Sequence, residues 1–302
     1  MDDVVNGRDA ERPAYVQTVL TETDWRAAAR AHEGRLAPIL TQHLARRSAG
    51  RKHPVIDFLF EYYDFRPAPL RRWSPGFGVA LQGAADAFLD RRGFVRTAVG
   101  VVLEPALFPE KQVQATRWMH DLVAATDLRA PFFGCYGMHE WAMVYRADGV
   151  RHMQVPLRYP ADEIAAIVEA QPIACSHFDA FRFFTPPARP LNRLQPTREA
   201  MADFEQPACL HANMDVYRWA FKRYPWVPSD LIADAFLLAC RIREVDMRAS
   251  PYDLRALGYE PIPVETPEGR RRYRAYQRRF MEEAAPLRRR LLAAYDHLLA
   301  YV

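Results

Sequence analysis

The chain has 302 residues, half of them hydrophobic, with 24 prolines and only 13 glycines, which is material for one large core or two and favours a stiff, loop-punctuated globule over a flexible linker. Its formal charge of +4 comes from 41 basic residues, nearly all Arg, against 37 acidic ones, a balance that permits a nucleic-acid or anionic small-molecule partner without requiring one. Four scattered cysteines without a C-x-x-C pair argue against a zinc ribbon or disulfide framework, no apolar run approaches the roughly 20 residues of a membrane helix, and the start Met1-Asp2-Asp3 lacks the basic region of a signal peptide, so a cytoplasmic protein with no membrane partner is expected.

Residues 1–22 read as a flexible N-terminal lead-in, and residues 23–302 as a single mainly helical domain. Thr23 precedes Trp25, Ala29, His32, Leu36, Ile39 and His43, a spacing that predicts an amphipathic helix with a Thr cap, bent at Pro38. Pro54 suits a first helical turn, followed by an apolar stripe of Val55, Phe58, Leu59 and Tyr62 with Asp57 and Glu61 at its side. The loop from Arg66 to Gly76 carries Arg66, Arg71, Arg72 and Trp73, and it reads equally as a binding loop and as a core plug with solvated arginines. Phe77 to Gln82 and Phe94 to Leu103 are the β-leaning runs, and neither alternates cleanly, so any sheet is small. Helices are predicted over Glu110 to Ala125 and Ala161 to Ala170, from near His211, and from Ser229 as a cap. Trp141 to Tyr145 reads as a buried helix or strand. The last helix opens at Thr266-Pro267-Glu268 and kinks at Pro286. Helix dominates, so the fold class is mainly α, a single large helical domain with room for a short β-hairpin.

The chemistry-bearing residues fall in three polar-aromatic blocks between about 133 and 253: Phe133 to Trp141, Cys175 to Thr185, and Cys209 to Tyr217. A thiol, imidazole, carboxylate and guanidinium set among phenylalanines are costly to bury without partners, so the blocks are expected to converge on one site. No P-loop, G-x-G-x-x-G, G-x-S-x-G or H-E-x-x-H is present, since His139-Glu140 lacks its second His. Two chemistries remain open. In one, His139, His177 and His211 with Glu140, Asp179 or Asp215 supply two or three imidazoles and a carboxylate, the ligand set of a non-haem iron or catalytic zinc site. In the other no cofactor is needed: Tyr136, Trp141, Phe181 and Phe183 stack a planar cationic base, Arg182, Arg189, Arg193, Lys222 and the Arg71-Arg72 loop hold phosphates, and Asp179, Glu140 or Asp215 orients water. Asp179 is the favoured carboxylate, because it lies two residues from His177 and three from Arg182. On a helix Asp179 and Arg182 share a face, whereas in an extended segment Cys175, His177 and Asp179 point to one side.

The phrases His53-Pro54 through Asp57 to Phe60, Arg66-Pro67, Arg72-Trp73, Gly137 to Tyr145, Cys175 to Thr185 and Asp246 to Asp253 resemble a bacterial family, frequent in actinobacteria, commonly labelled 3-methyladenine DNA glycosylase. The resemblance spans most of the chain after Lys52. One departure is Ser74, where that family has His before Pro75-Gly76. The resemblance implies an N-glycosidic hydrolase that excises alkylated, cationic purines from DNA, a role in DNA repair, and DNA as partner, and it carries over no catalytic residue. The alternative is a metal-dependent oxygenase or hydrolase acting on a small aromatic or anionic substrate.

Overall fold

A computed structural model describes residues 12–149 and 154–302, and the lead-in over residues 1–11 lies outside the described residues. The end of that expected lead-in is ordered: Val16 is buried and Thr18–Leu20 form β1. Helix α1 (Glu22–Ser48) runs through Pro38. Its cap is Thr21 and not Thr23, because Thr21 Oγ1 accepts the Asp24 amide at 3.3 Å and Glu22 and Asp24 occupy the first turn, where carboxylates meet the exposed amides.

Pro54 opens a hydrogen-bonded turn in place of a helix. The Val55 and Ile56 amides donate to His53 Nδ1 at 3.3 Å each, and the His53 amide donates to Asp57 Oδ2 at 2.8 Å. Helix α2 (Phe58–Tyr62) therefore starts only after Asp57, and α3 (Pro67–Arg71) follows. Trp73 is buried edge-on against Phe88, so it plugs a core, and Arg71 pairs with Glu33. Ser74 is buried too. Its hydroxyl donates to Pro225 O at 2.7 Å and its amide donates to Ser229 Oγ at 2.8 Å, so the residue ties this loop to the chain around Pro225 and Ser229.

The β-leaning runs give β2 (Val79–Leu81), β3 (Phe94–Thr97) and β4 (Gly100–Leu103) in a sheet of order β1-β2-β4-β3. β1 lies parallel to β2 with Val19 opposite Ala80, and β3 and β4 form the expected hairpin with Thr97 opposite Gly100. Gly100 has φ +137° and a Cβ there would lie 2.4 Å from Leu81 O, so only glycine lets β4 close on β2. One sheet face meets Trp25, Trp73, Phe88 and Trp226. The other gathers Val16, Ala80 and Val102.

The helices α4 (Glu110–Leu128), α5 (Met138–Ala142), α6 (Ala161–Ala170), α7 (Phe178–Phe181), α8 (Met201–Phe204), α9 (Leu210–Phe221), α10 (Ser229–Ala249) and α11 (Pro267–Leu299) build the main core. Ser229 is the first helical residue and not a cap. Ten of the twelve residues of α9 are buried, and α10, α11 and α4 pack around it. Polar side chains on α9 are thus forced into the interior. That is where the site forms.

Candidate metal centre

The three blocks meet. The His211 ring on α9 lies between the His139 ring on α5, 4.5 Å away and near perpendicular, and the His177 ring, 5.2 Å away and stacked. All three imidazoles are buried. Their positions follow from local backbone choices. Tyr136 at φ 51° and Gly137 at φ 75° turn the chain sharply into α5, which sets Cys135 over the first turn with its Sγ 3.4 Å from His139 Nδ1. Gly137 is needed there because the left-handed conformation disfavours a side chain and a Cβ would crowd Ala249 at 3.2 Å. His177 caps α7 with its own ring, Nδ1 accepting the Ala180 amide at 3.2 Å.

On one side His139 Nε2 meets Asp246 Oδ1 at 2.8 Å, while Arg243 Nη1 bridges Asp246 Oδ2 at 2.8 Å and Glu140 Oε1 at 2.7 Å. Arg243 and Asp246 sit three apart on α10, so one helix supplies both. The Arg243 guanidinium lies 3.8 Å over the Phe58 ring. On the other side His177 Nε2 faces Asp215 Oδ2 at 3.3 Å and Glu205 Oε1 at 3.5 Å. Asp215 also accepts from Tyr63 at 2.7 Å and from Arg218 at 3.1 Å.

The electrostatics differ between the three rings. Burial works against charge on His139, but Asp246 outweighs it and holds the pKa well above the ordinary value. For His177 burial is likewise outweighed, by Glu205 and Asp215. His211 is held neutral, since burial and the neighbouring His139 both push its pKa well below the ordinary value. Asp246 and Asp215 resist burial through His139 in the first case and Arg218 in the second, and both lie well below the usual carboxylate range. Glu205 is the exception: burial pushes its carboxyl up to about 7, and Oε1 has no hydrogen-bond partner among the described residues.

Two groups have donor atoms within 4.8 Å of one another: His139, His211 and Asp246, and His177, Glu205 and Asp215. Tautomers separate them. His177 Nδ1 accepts an amide, so its ring proton sits on Nε2, and Nε2 has no lone pair for a cation unless the α7 cap is given up. His139 Nδ1 faces a sulfur, and a hydrogen bond from Cys175 with the His139 ring behind it holds the Cys135 thiol well below its ordinary pKa. That sulfur accepts an Nδ1–H, so a cation at Nε2 would displace only the proton that His139 shares with Asp246 and would leave the Nδ1 hydrogen bond in place. His211 is neutral and its ring makes no hydrogen bond among the described residues. Two imidazoles and one carboxylate on α5, α9 and α10 therefore fit a divalent cation, with Cys135 and Arg243 orienting the ligands from behind. A cavity of about 20 Å³, room for one water, opens beside His211 between Phe58, Tyr62, Met143, Phe183 and Asp179.

The remaining expected site residues are placed as follows. Asp179 takes the helical alternative, pairing with Arg182 at 2.8 Å and also with Arg218. Glu140 and Asp215 are likewise held by arginines. Trp141 is fully buried and donates to Ala249 O at 2.9 Å, and Phe181 is in the core. Tyr136 accepts from Arg274, Phe183 lies under the Arg182 guanidinium, Arg189 donates to Arg182 O at 3.3 Å, and Lys222 lies against Trp219. Sequence reasoning passed over Cys135, Glu205, Arg218, Arg243 and Asp246. Three spacings carried a signal: Cys135 to His139 at four residues, and Asp215 to Arg218 and Arg243 to Asp246 at three. Compared with known proteins, the chain matches no family model, no curated protein and no solved structure.

Proposed function

We propose that the protein is a metal-dependent enzyme whose divalent cation is held by His139, His211 and Asp246. The observation that carries this reading is His211: a buried, neutral imidazole with no hydrogen bond among the described residues, its donor atom within 4.8 Å of those of a second His and an Asp. A buried ring of this kind is stabilised by a partner, and a cation fills that role. Two His and one carboxylate are the ligands of non-haem iron oxygenases and of one class of zinc hydrolases. When bound, such a metal supplies Lewis acidity and an activated water or dioxygen. The chain's own contribution is to limit access. Phe58, Tyr62 and Phe183 narrow the approach to a water-sized space, and at its edge Glu140 pairs with Arg243 and Asp179 with Arg182 and Arg218. A small aromatic or anionic substrate meets this aromatic and guanidinium-rich mouth.

Excision of alkylated purines, which the family resemblance implies, draws less support. A flipped base needs open ring faces and a free carboxylate, yet Trp141 and Phe181 are interior and Asp179, Glu140 and Asp215 all carry arginines. The test is metal analysis of protein purified without a histidine tag. The expected result is about one equivalent of iron or zinc per chain with no base release from alkylated DNA. Metal-free protein that releases 3-methyladenine overturns the proposal.

A further inference from the structure

Away from the candidate metal centre, a groove of about 530 Å³ lies between the end of α1 and the turn joining α2 to α3. Its floor is firmly built. The His43 ring stacks on Phe60 at 3.9 Å, and His43 Nδ1 meets the buried Asp57 Oδ1 at 2.9 Å. Asp57 is fully committed, since it also accepts from Arg46 at 2.6 Å and from the His53 amide at 2.8 Å. The rim is cationic, with Arg47, Arg51, Lys52 and Arg66. Lys52 pairs with Glu61 at 2.8 Å, while Arg47, Arg51 and Arg66 have no carboxylate partner among the described residues. One carboxylate in the groove, Asp64, likewise has no partner among the described residues. It holds φ 51°, a left-handed turn that carries the chain back to Phe65 and Arg66. Three uncommitted guanidiniums against one uncommitted carboxylate leave excess positive charge in a concave surface, where the field is focused on whatever enters.

We propose that this groove binds a phosphate-bearing small molecule with a flat ring, of the class of a nucleoside monophosphate. Guanidiniums present paired N–H donors that match phosphate oxygens, which ammonium groups do not. The half-buried Phe65 ring lines the groove wall, held by Phe221 at 4.4 Å and Tyr63 at 5.7 Å, and gives a flat ring an apolar surface to pack against beside the guanidiniums. The volume suits a ligand of that size, whereas a duplex asks for an extended basic stripe. The groove is separate from the metal centre but shares a wall with it. On α2, Phe58 and Tyr62 line the metal-centre cavity, and Phe60 and Glu61 line the groove.

The test is isothermal titration calorimetry of the full chain with adenosine 5′-monophosphate. We expect saturable one-site binding that weakens with salt, tighter than inorganic phosphate, and reduced about tenfold or more in Arg47→Ala/Arg66→Ala. Arg117→Ala/Arg289→Ala, which removes the same charge from exposed positions elsewhere, should leave the affinity unchanged. His211→Gln, which disrupts the proposed metal ligands, should leave it unchanged as well, so a failure of the metal reading does not touch this result. The proposal is overturned by a parent protein that does not bind, by equal losses in the two double variants, or by a loss confined to His211→Gln. Displacement of the nucleotide by duplex DNA at lower concentration overturns it in favour of a nucleic-acid contact.

Discussion

At the scale of single residues, Glu205 has the clearest pH signature. Burial pushes its carboxyl up to about 7 from an ordinary 4.5, so the folded protein binds this proton more tightly than the unfolded chain does. The corresponding stability is fully present below the unfolded value near 4.5 and is lost as pH rises through about 7. Ionising the group in place costs roughly 3 kcal/mol above that range. Glu205→Gln cannot ionise. Urea unfolding should therefore show the variant gaining roughly 3 kcal/mol over the parent between mildly acidic and mildly alkaline pH, and a constant difference would contradict the buried setting. Asp179 makes a different prediction. It was the favoured catalytic carboxylate on sequence grounds, but it lies between Arg182 and Arg218, so Asp179→Asn should lower stability by roughly 1–3 kcal/mol and leave metal content unchanged. Full stability with lost activity would restore the catalytic reading.

At the scale of elements, the chain announced most of what it forms. The Thr266 cap, first-position Pro267 and first-turn Glu268 all stand in α11, with Thr266 Oγ1 accepting the Gly269 amide at 3.0 Å. Thr266→Ala should cost about 1 kcal/mol in thermal or denaturant unfolding, and no loss would mean that packing alone fixes this helix end. The hairpin of β3 and β4 was visible in its Val-rich run, and α6 coincides with the helix expected over Ala161 to Ala170, with Asp162 and Glu163 in its first turn. Less legible was β1. Three residues that pair parallel with β2 carry no period of their own, and their partner lies about sixty residues on. Trp73 was ambiguous for a related reason, since a ring in a proline-rich loop is assigned to core or surface only by what packs against it.

At the scale of the whole molecule, the convergence of three blocks was readable because each places imidazole and carboxylate among large apolar rings, a combination that survives burial only with partners. Their completion was not readable. Asp246 reaches His139 across 107 positions and Asp215 reaches His177 across 38, and charge-dense helices of this kind usually face solvent. The net charge of +4 is likewise weaker footing for DNA than the composition suggests, because Arg71 and Arg182, two cations expected on phosphate, are tied to Glu33 and Asp179. Any DNA binding should show a log–log salt slope shallower than roughly −3, and a steep slope would reveal a basic track unaccounted for by these pairings. The central claim is that one triad holds a cation and its neighbour does not. It is tested most directly by metal content per chain in four variants of the untagged protein. His211→Ala and Asp246→Asn should lose the metal, while Glu205→Gln and Asp215→Asn should keep it; loss in the second pair with retention in the first would contradict the assignment.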